Sequence, residues 1–149
     1  MTFLSWFPGP SLRKTVKNSS LFLPAARRTA AAGPAAAPGI SPAAKAAESS
    51  WAAVSAAERA NMLRRLADLM EAHMPELMAL AVREAGKTLN NAIAEVREAV
   101  DFCHYYANEA ETTCAARKPV GTIVAISPWN FPLAIFTGEV VAALAVGNT

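Results

Sequence analysis

Six consecutive residues, Ser127-Pro-Trp-Asn-Phe-Pro132, concentrate most of what this chain offers to chemistry. Two prolines fix the backbone at both ends of the tract and stiffen it. Asn130 lies between them, and its carboxamide carries two N–H donors. A neutral donor held still beside a reacting carbonyl stabilises an oxyanion by several kcal/mol where water is excluded. Trp129 and Phe131 supply flat apolar walls on either side. The residue pattern alone also fits a simpler reading, an asparagine that stabilises a turn between prolines.

The flanking sequence must position this tract. Residues 120–126 form an apolar, β-branched run that predicts a strand buried on both faces. Residues 133–146 predict a buried helix. A strand that ends in a polar turn and leads into a helix is where α/β folds place ligands, so the expected fold class is α/β. A strand apolar on both faces needs neighbours on both edges, and this chain supplies one such strand.

Upstream, three helices are predicted. Ser55-Ala-Ala-Glu58 has the spacing of a capping box, and Met62, Leu63, Leu66, Leu69 and Met70 follow on one face. Pro75 ends or kinks that helix and can open the next, whose face is Leu77, Met78, Ala81 and Val82. Gly86 reads as its C-terminal cap. Asn90 or Asn91 is expected to cap a third helix with the stripe Ile93, Val96, Val100, Cys103, Ala107 and Ala110. Glu95, Glu98, Asp101 and Arg97 are expected on its solvated faces, and Arg117, Lys118 and Pro119 at its end.

Composition narrows the function. Among 149 residues 53% are hydrophobic and 17% charged, which allows a packed core in one modest domain. Residues 1–47 hold six basic residues and no acid, while residues 48–149 carry a net charge of −4. The acidic globular part lacks the basic footprint of a nucleic-acid binder. No apolar run reaches the ~18–20 residues of a membrane span. Cys103 and Cys114 lie eleven residues, or roughly 16 Å of helix, apart, too far for a bridge within one helix. No cysteine or histidine spacing marks a metal site, and His73 and His104 read as surface or packing residues. Reduced cysteines fit a cytoplasmic protein.

Six of the ten prolines fall in residues 1–47, and residues 25–47 are low-complexity Ala/Pro/Gly. Residues 1–42 are therefore expected to be disordered, with order starting near Ala43. This start resembles an organellar transit peptide, which leaves mitochondrial targeting open, but it lacks an amphipathic arginine stripe. A linker from a larger protein, or upstream DNA read as protein, accounts for it equally.

The full string Ile126-Ser-Pro-Trp-Asn-Phe-Pro-Leu-Ala-Ile-Phe-Thr-Gly138 resembles the aldehyde dehydrogenase superfamily. Its long form is similar to the L-glutamate γ-semialdehyde (1-pyrroline-5-carboxylate) dehydrogenase modules of bifunctional proline-utilisation proteins. Ala56-Ala-Glu-Arg-Ala60, Ala67-Asp-Leu-Met-Glu71, Pro75-Glu-Leu-Met78, Arg83-Glu-Ala-Gly-Lys-Thr88, Val100-Asp-Phe102 and Tyr105-Tyr-Ala107 follow in the family's order. The resemblance covers about residues 43–149. It implies the N-terminal helices and first strand–loop–helix unit of a Rossmann-like NAD-binding domain. Asn130 would be the oxyanion-hole side chain. Ile126, Ser127, Pro128 and Trp129 would line NAD, and Phe131 would wall the aldehyde tunnel. The partner implied is a small aldehyde, oxidised with NAD in a homo-oligomeric parent enzyme without a metal. The family's Lys-Pro-x-Glu segment, general-base glutamate and nucleophilic cysteine have no match in this chain, and Glu139 stands where that branch has glutamine. The chain is therefore expected to be an inactive, incomplete piece of such an enzyme. Two alternatives stay open: a helical interaction module that pairs with a full-length dehydrogenase, and a piece of an aldehyde dehydrogenase with another substrate.

Overall fold

A computed structural model of the chain describes residues 42–149. The expectations for residues 1–41, disorder and targeting among them, lie outside the described residues. Five helices follow in order: α1 (Pro42–Ala52), α2 (Ala56–Ala72), α3 (Met74–Ala85), α4 (Leu89–Glu111) and α5 (Ala134–Ala145).

Local signals set most of the boundaries. The Ser55 hydroxyl accepts from Glu58 N–H at 3.2 Å, and the Ser55 N–H donates back to Glu58 Oε2 at 3.1 Å, which closes the expected capping box. Pro75 sits in the first turn of α3, where its missing N–H costs nothing. Gly86 ends α3 in the left-handed region at φ 65°, a conformation that a side chain resists. The cap of α4 differs from expectation. Thr88 rather than Asn90 or Asn91 accepts the free amide, from Asn91 N–H at 3.2 Å. Thr88 is the residue with extended backbone at that junction, and a cap needs that conformation.

The long helix α4 forms the middle of the packing, with α2, α3 and α5 laid against it. Its 23 residues span roughly 35 Å. Leu63 and Leu66 of α2, Val96, Val100 and Cys103 of α4, and Val141 and Leu144 of α5 fill the core. Full burial of side chains of this size contributes ~1.5–3 kcal/mol each. Gly138 permits the close approach of α5 to α4, since a Cβ there would lie 2.9 Å from a ring carbon of Phe102.

Two expectations for α4 are corrected. Glu95 is buried rather than solvated, because α5 packs over its face of the helix. The helix ends at Glu111, so Cys114 sits in the following turns and not on the helix with Cys103.

The expected strand is not shown among the described residues. Residues 120–126 carry no regular structure and bend at Gly121, where φ is 116°, and the described residues contain no β-strand. Thr149 N–H donates to Gly121 O at 3.3 Å and Ile123 N–H to Thr149 O at 2.7 Å, the bonds with which a parallel pair begins. Among the described residues the pairing goes no further. The apolar run signals burial between neighbours, and here Val120, Val124 and Ile126 face solvent. Of the α/β expectation, the described residues show the helices alone.

Candidate functional site

The tract 127–132 lies between this segment and α5. Phe131 N–H donates to Pro128 O at 3.2 Å, so Trp129 and Asn130 occupy the two central positions of a tight turn. The Asn130 carboxamide is exposed and hydrogen-bonds to no described residue. The backbone closes the turn by itself and leaves both side-chain donors free for a ligand. Trp129 is largely exposed on one side of Asn130. Phe131 on the other is about half covered.

Both ends of α5 are held by buried charges that residue types and spacing did not reveal. The Glu95 carboxylate accepts through Oε2 from Leu133 N–H at 3.2 Å and from Ala134 N–H at 3.1 Å. An anion at a helix N-terminus meets free amides and the positive end of the helix dipole. Glu95 is only 2% exposed, and its Oε1 lies 2.9 Å from Lys87 Nζ. The same ammonium stands 4.1 Å from the centre of the Phe131 ring. At the other end of α5, Arg59 Nε donates to Ala145 O at 3.0 Å and Trp51 Nε1 to Leu144 O at 3.2 Å. Arg59 Nη1 also donates to Val54 O. Burial pulls the Arg59 guanidinium below its usual range.

A third set of bonds anchors the start of the segment 120–126. Asn148 Oδ1 accepts from Val120 N–H at 2.7 Å and Gly121 N–H at 3.1 Å. Glu48 Oε1 accepts from Thr122 N–H at 3.1 Å and from its hydroxyl at 2.7 Å. The Glu48 carboxyl is held below the ordinary carboxylate range by Lys45 and Thr122.

The structure thus brings Ile126, Ser127, Pro128, Trp129, Asn130 and Phe131 into one exposed, stiff ledge. Ile126 and Trp129 offer exposed apolar surface there, and Ser127 a hydroxyl that can donate and accept. Nothing at the ledge cradles a phosphate, because Glu95 already takes the first amides of α5. Cys103 does not serve the ledge as a nucleophile. Cys103 is fully buried, and burial pushes its thiol up to about 12. Among the described residues no group of three or more His, Cys, Asp or Glu side chains is placed to hold a metal. No described helix is long and apolar enough to cross a membrane.

Residues 24–149 match the family model described as the aldehyde dehydrogenase family. The bifunctional protein PutA of Escherichia coli strain K12 is 59% identical over 101 residues, covering 66% of this chain and 8% of that protein. The 1-pyrroline-5-carboxylate dehydrogenase of Anoxybacillus flavithermus strain DSM 21510 is 40% identical over 113 residues, covering 66% of this chain and 22% of that protein. Among solved structures, a Bradyrhizobium japonicum proline utilization A variant superposes with a TM-score of 0.70 at 42% identity, over 72% of this chain and 13% of that one. A Thermus 1-pyrroline-5-carboxylate dehydrogenase with bound NAD superposes with a TM-score of 0.67 at 39% identity, over 71% of this chain and 23% of that one. The chain therefore spans a small part of the length of the relatives it matches.

Proposed function

The chain belongs to the aldehyde dehydrogenase family, and we propose that it forms the oxyanion-binding edge of an NAD-dependent dehydrogenase for L-glutamate 5-semialdehyde. The observation that carries this reading is the free carboxamide of Asn130, fixed at the centre of a backbone-closed turn between Trp129 and Phe131. A donor that no described residue uses is available to the oxygen of an aldehyde as a nucleophile adds to it. Exchange of water for fixed donors around that oxygen lowers the barrier to addition. Phe131 walls the aldehyde, and Ile126, Ser127, Pro128 and Trp129 face the cofactor. When bound there, NAD accepts the hydride released as the aldehyde carbon is oxidised. The semialdehyde is favoured as substrate by the likeness to PutA and 1-pyrroline-5-carboxylate dehydrogenases.

The reaction needs a thiolate nucleophile; the buried Cys103 thiol does not supply one at neutral pH, and Cys114 sits in the turns after α4, outside the tract 126–131. The purified 149-residue chain is therefore expected to show no NAD reduction with glutamate semialdehyde above a buffer blank. In a complete dehydrogenase that contains this sequence, Asn130→Ala is expected to lower kcat by ~10²–10³-fold. NAD affinity should change little, because the carboxamide serves the aldehyde oxygen. Steady-state kinetics with both substrates varied decides it, and an unchanged kcat removes Asn130 from the reaction.

A further inference from the structure

We infer that Lys87 is the positioning residue of the ledge, holding the Asn130–Phe131 turn onto the start of α5 through Glu95 on one side and the Phe131 ring on the other. The inference rests on the reading of that turn as an aldehyde site, and it adds what keeps the turn in place.

Three observations converge on it. The backbone of Lys87 is fixed, since it stands between Gly86, the left-handed cap of α3, and Thr88, the N-cap of α4. Its N–H also donates to Ala81 O at 3.4 Å. Its side chain is only 12% exposed, unusual for a lysine, and its ammonium lies 2.9 Å from Glu95 Oε1. The other oxygen of that carboxylate binds the amides of Leu133 and Ala134, two and three residues past Phe131. Phe131 itself lies over the ammonium, with 4.1 Å from Nζ to the ring centre. A cation this close to a ring face, and largely shielded from water, is attracted to the ring quadrupole.

The geometry makes one connected clamp. The link between α3 and α4 supplies the cation, α4 supplies the carboxylate, and the chain is held at Phe131 and again at Leu133. Asn130 has no bond of its own to a described residue, so the aim of its carboxamide depends on Phe131 staying where it is. Arginine can keep both contacts, whereas methionine keeps the length of the side chain and loses the charge.

The test is solution NMR on the labelled 149-residue chain. The Lys87 ε-protons are expected upfield of those of the other lysines because of the ring current, and Phe131→Leu should abolish that displacement. Lys87→Met should make the Phe131 amide exchange roughly tenfold faster, as expected for loss of a shielded cation–π contact and its ion pair. It should also shift the Asn130 carboxamide resonances. Lys87→Arg should restore both. The Trp51 Nε1–H resonance, bonded to Leu144 O far from the clamp in sequence, reports that the fold is kept. Should Lys87→Met unfold the chain, the ring-current displacement and its loss in Phe131→Leu decide alone. Lys87 ε-protons that coincide with those of the other lysines overturn the inference, as do unmoved Asn130 and Phe131 resonances in a folded Lys87→Met chain. The kinetics of Asn130→Ala fail or succeed independently, since they leave Lys87 untouched.

Discussion

Asn130 and Cys103 show how one chain sets two polar side chains to opposite uses. The carboxamide is exposed and bonded to no described residue. The thiol is sealed in the core between helices, and desolvation pushes it up to about 12. The thiolate is the reactive form, so Cys103 should resist alkylation in the folded chain at pH 8, while the partly exposed Cys114 reacts. Mass spectrometry after brief iodoacetamide treatment, with and without denaturant, reads both sites. Rapid native labelling of Cys103 would contradict its burial. The turn at Asn130 was legible, because two prolines bracket an amide between two aromatics. Glu95 was not. Its sequence neighbours Val96 and Arg97 place it on a helix that also carries exposed acids, and only the arrival of α5, 38 residues later, turns it into a buried cap.

At the scale of elements, what the sequence made readable was what neighbours within four residues decide. The capping box at Ser55, the left-handed Gly86 and the proline that opens α3 all fall in that class. The strand expected at residues 120–126 is not shown among the described residues, because strand formation depends on partners distant in sequence and the described residues offer Thr149 alone. Glu95 joins the local and the distant levels, and its removal has a calculable effect. Glu95→Ala uncaps α5 and leaves the Lys87 ammonium without its ion-pair partner, which should cost about 3–5 kcal/mol. Glu95→Gln keeps an acceptor for the two amides and should cost less. Chemical denaturation of the three chains gives the order, and equal stability of Ala and wild type would show that α5 needs no cap. The box at Ser55 gives a pH dependence of known sign. Bonds from Ser55 hold the Glu58 carboxyl below its ordinary value of 4.5, and Arg64 does the same for Glu111. A carboxyl lowered in the folded state stabilises above its unfolded pKa and stops doing so as pH falls through the folded value. The melting temperature should therefore stay level from neutral pH down to about 5 and drop below about 4.5. The drop should be shallower in Glu58→Gln, which has no charge there to lose. A parallel acid drop in that variant would place the effect elsewhere.

Taken whole, residues 42–149 pair a well-packed helical body with an apolar ledge left open to water. The body needs no help from the ledge, since the core residues of α2, α4 and α5 cover one another. The ledge, taken together with residues 120–125 that lead into it, is different in kind. Val120 and Ile126 are each 83% exposed and Val124 is 71% exposed, with no charge between them, and the amides bonded in this segment are those of residues 120–123. Uncharged, β-branched segments of this kind pair with other chains. An exposed apolar patch also binds environment-sensitive dyes, whereas scattered single residues do not. The 149-residue chain should therefore combine a strong helical far-ultraviolet signal with dye binding and concentration-dependent association. A charge placed on the ledge should suppress both without loss of helix. Val124→Lys and Ile126→Lys meet that condition, because neither side chain contributes to the buried core. Sedimentation velocity across a concentration series, beside dye fluorescence and circular dichroism, makes the comparison. Dye binding that persists in both lysine variants would move the exposed surface to the helical body, and a wild-type chain that stays monomeric and dye-silent would mean that the ledge is covered in solution.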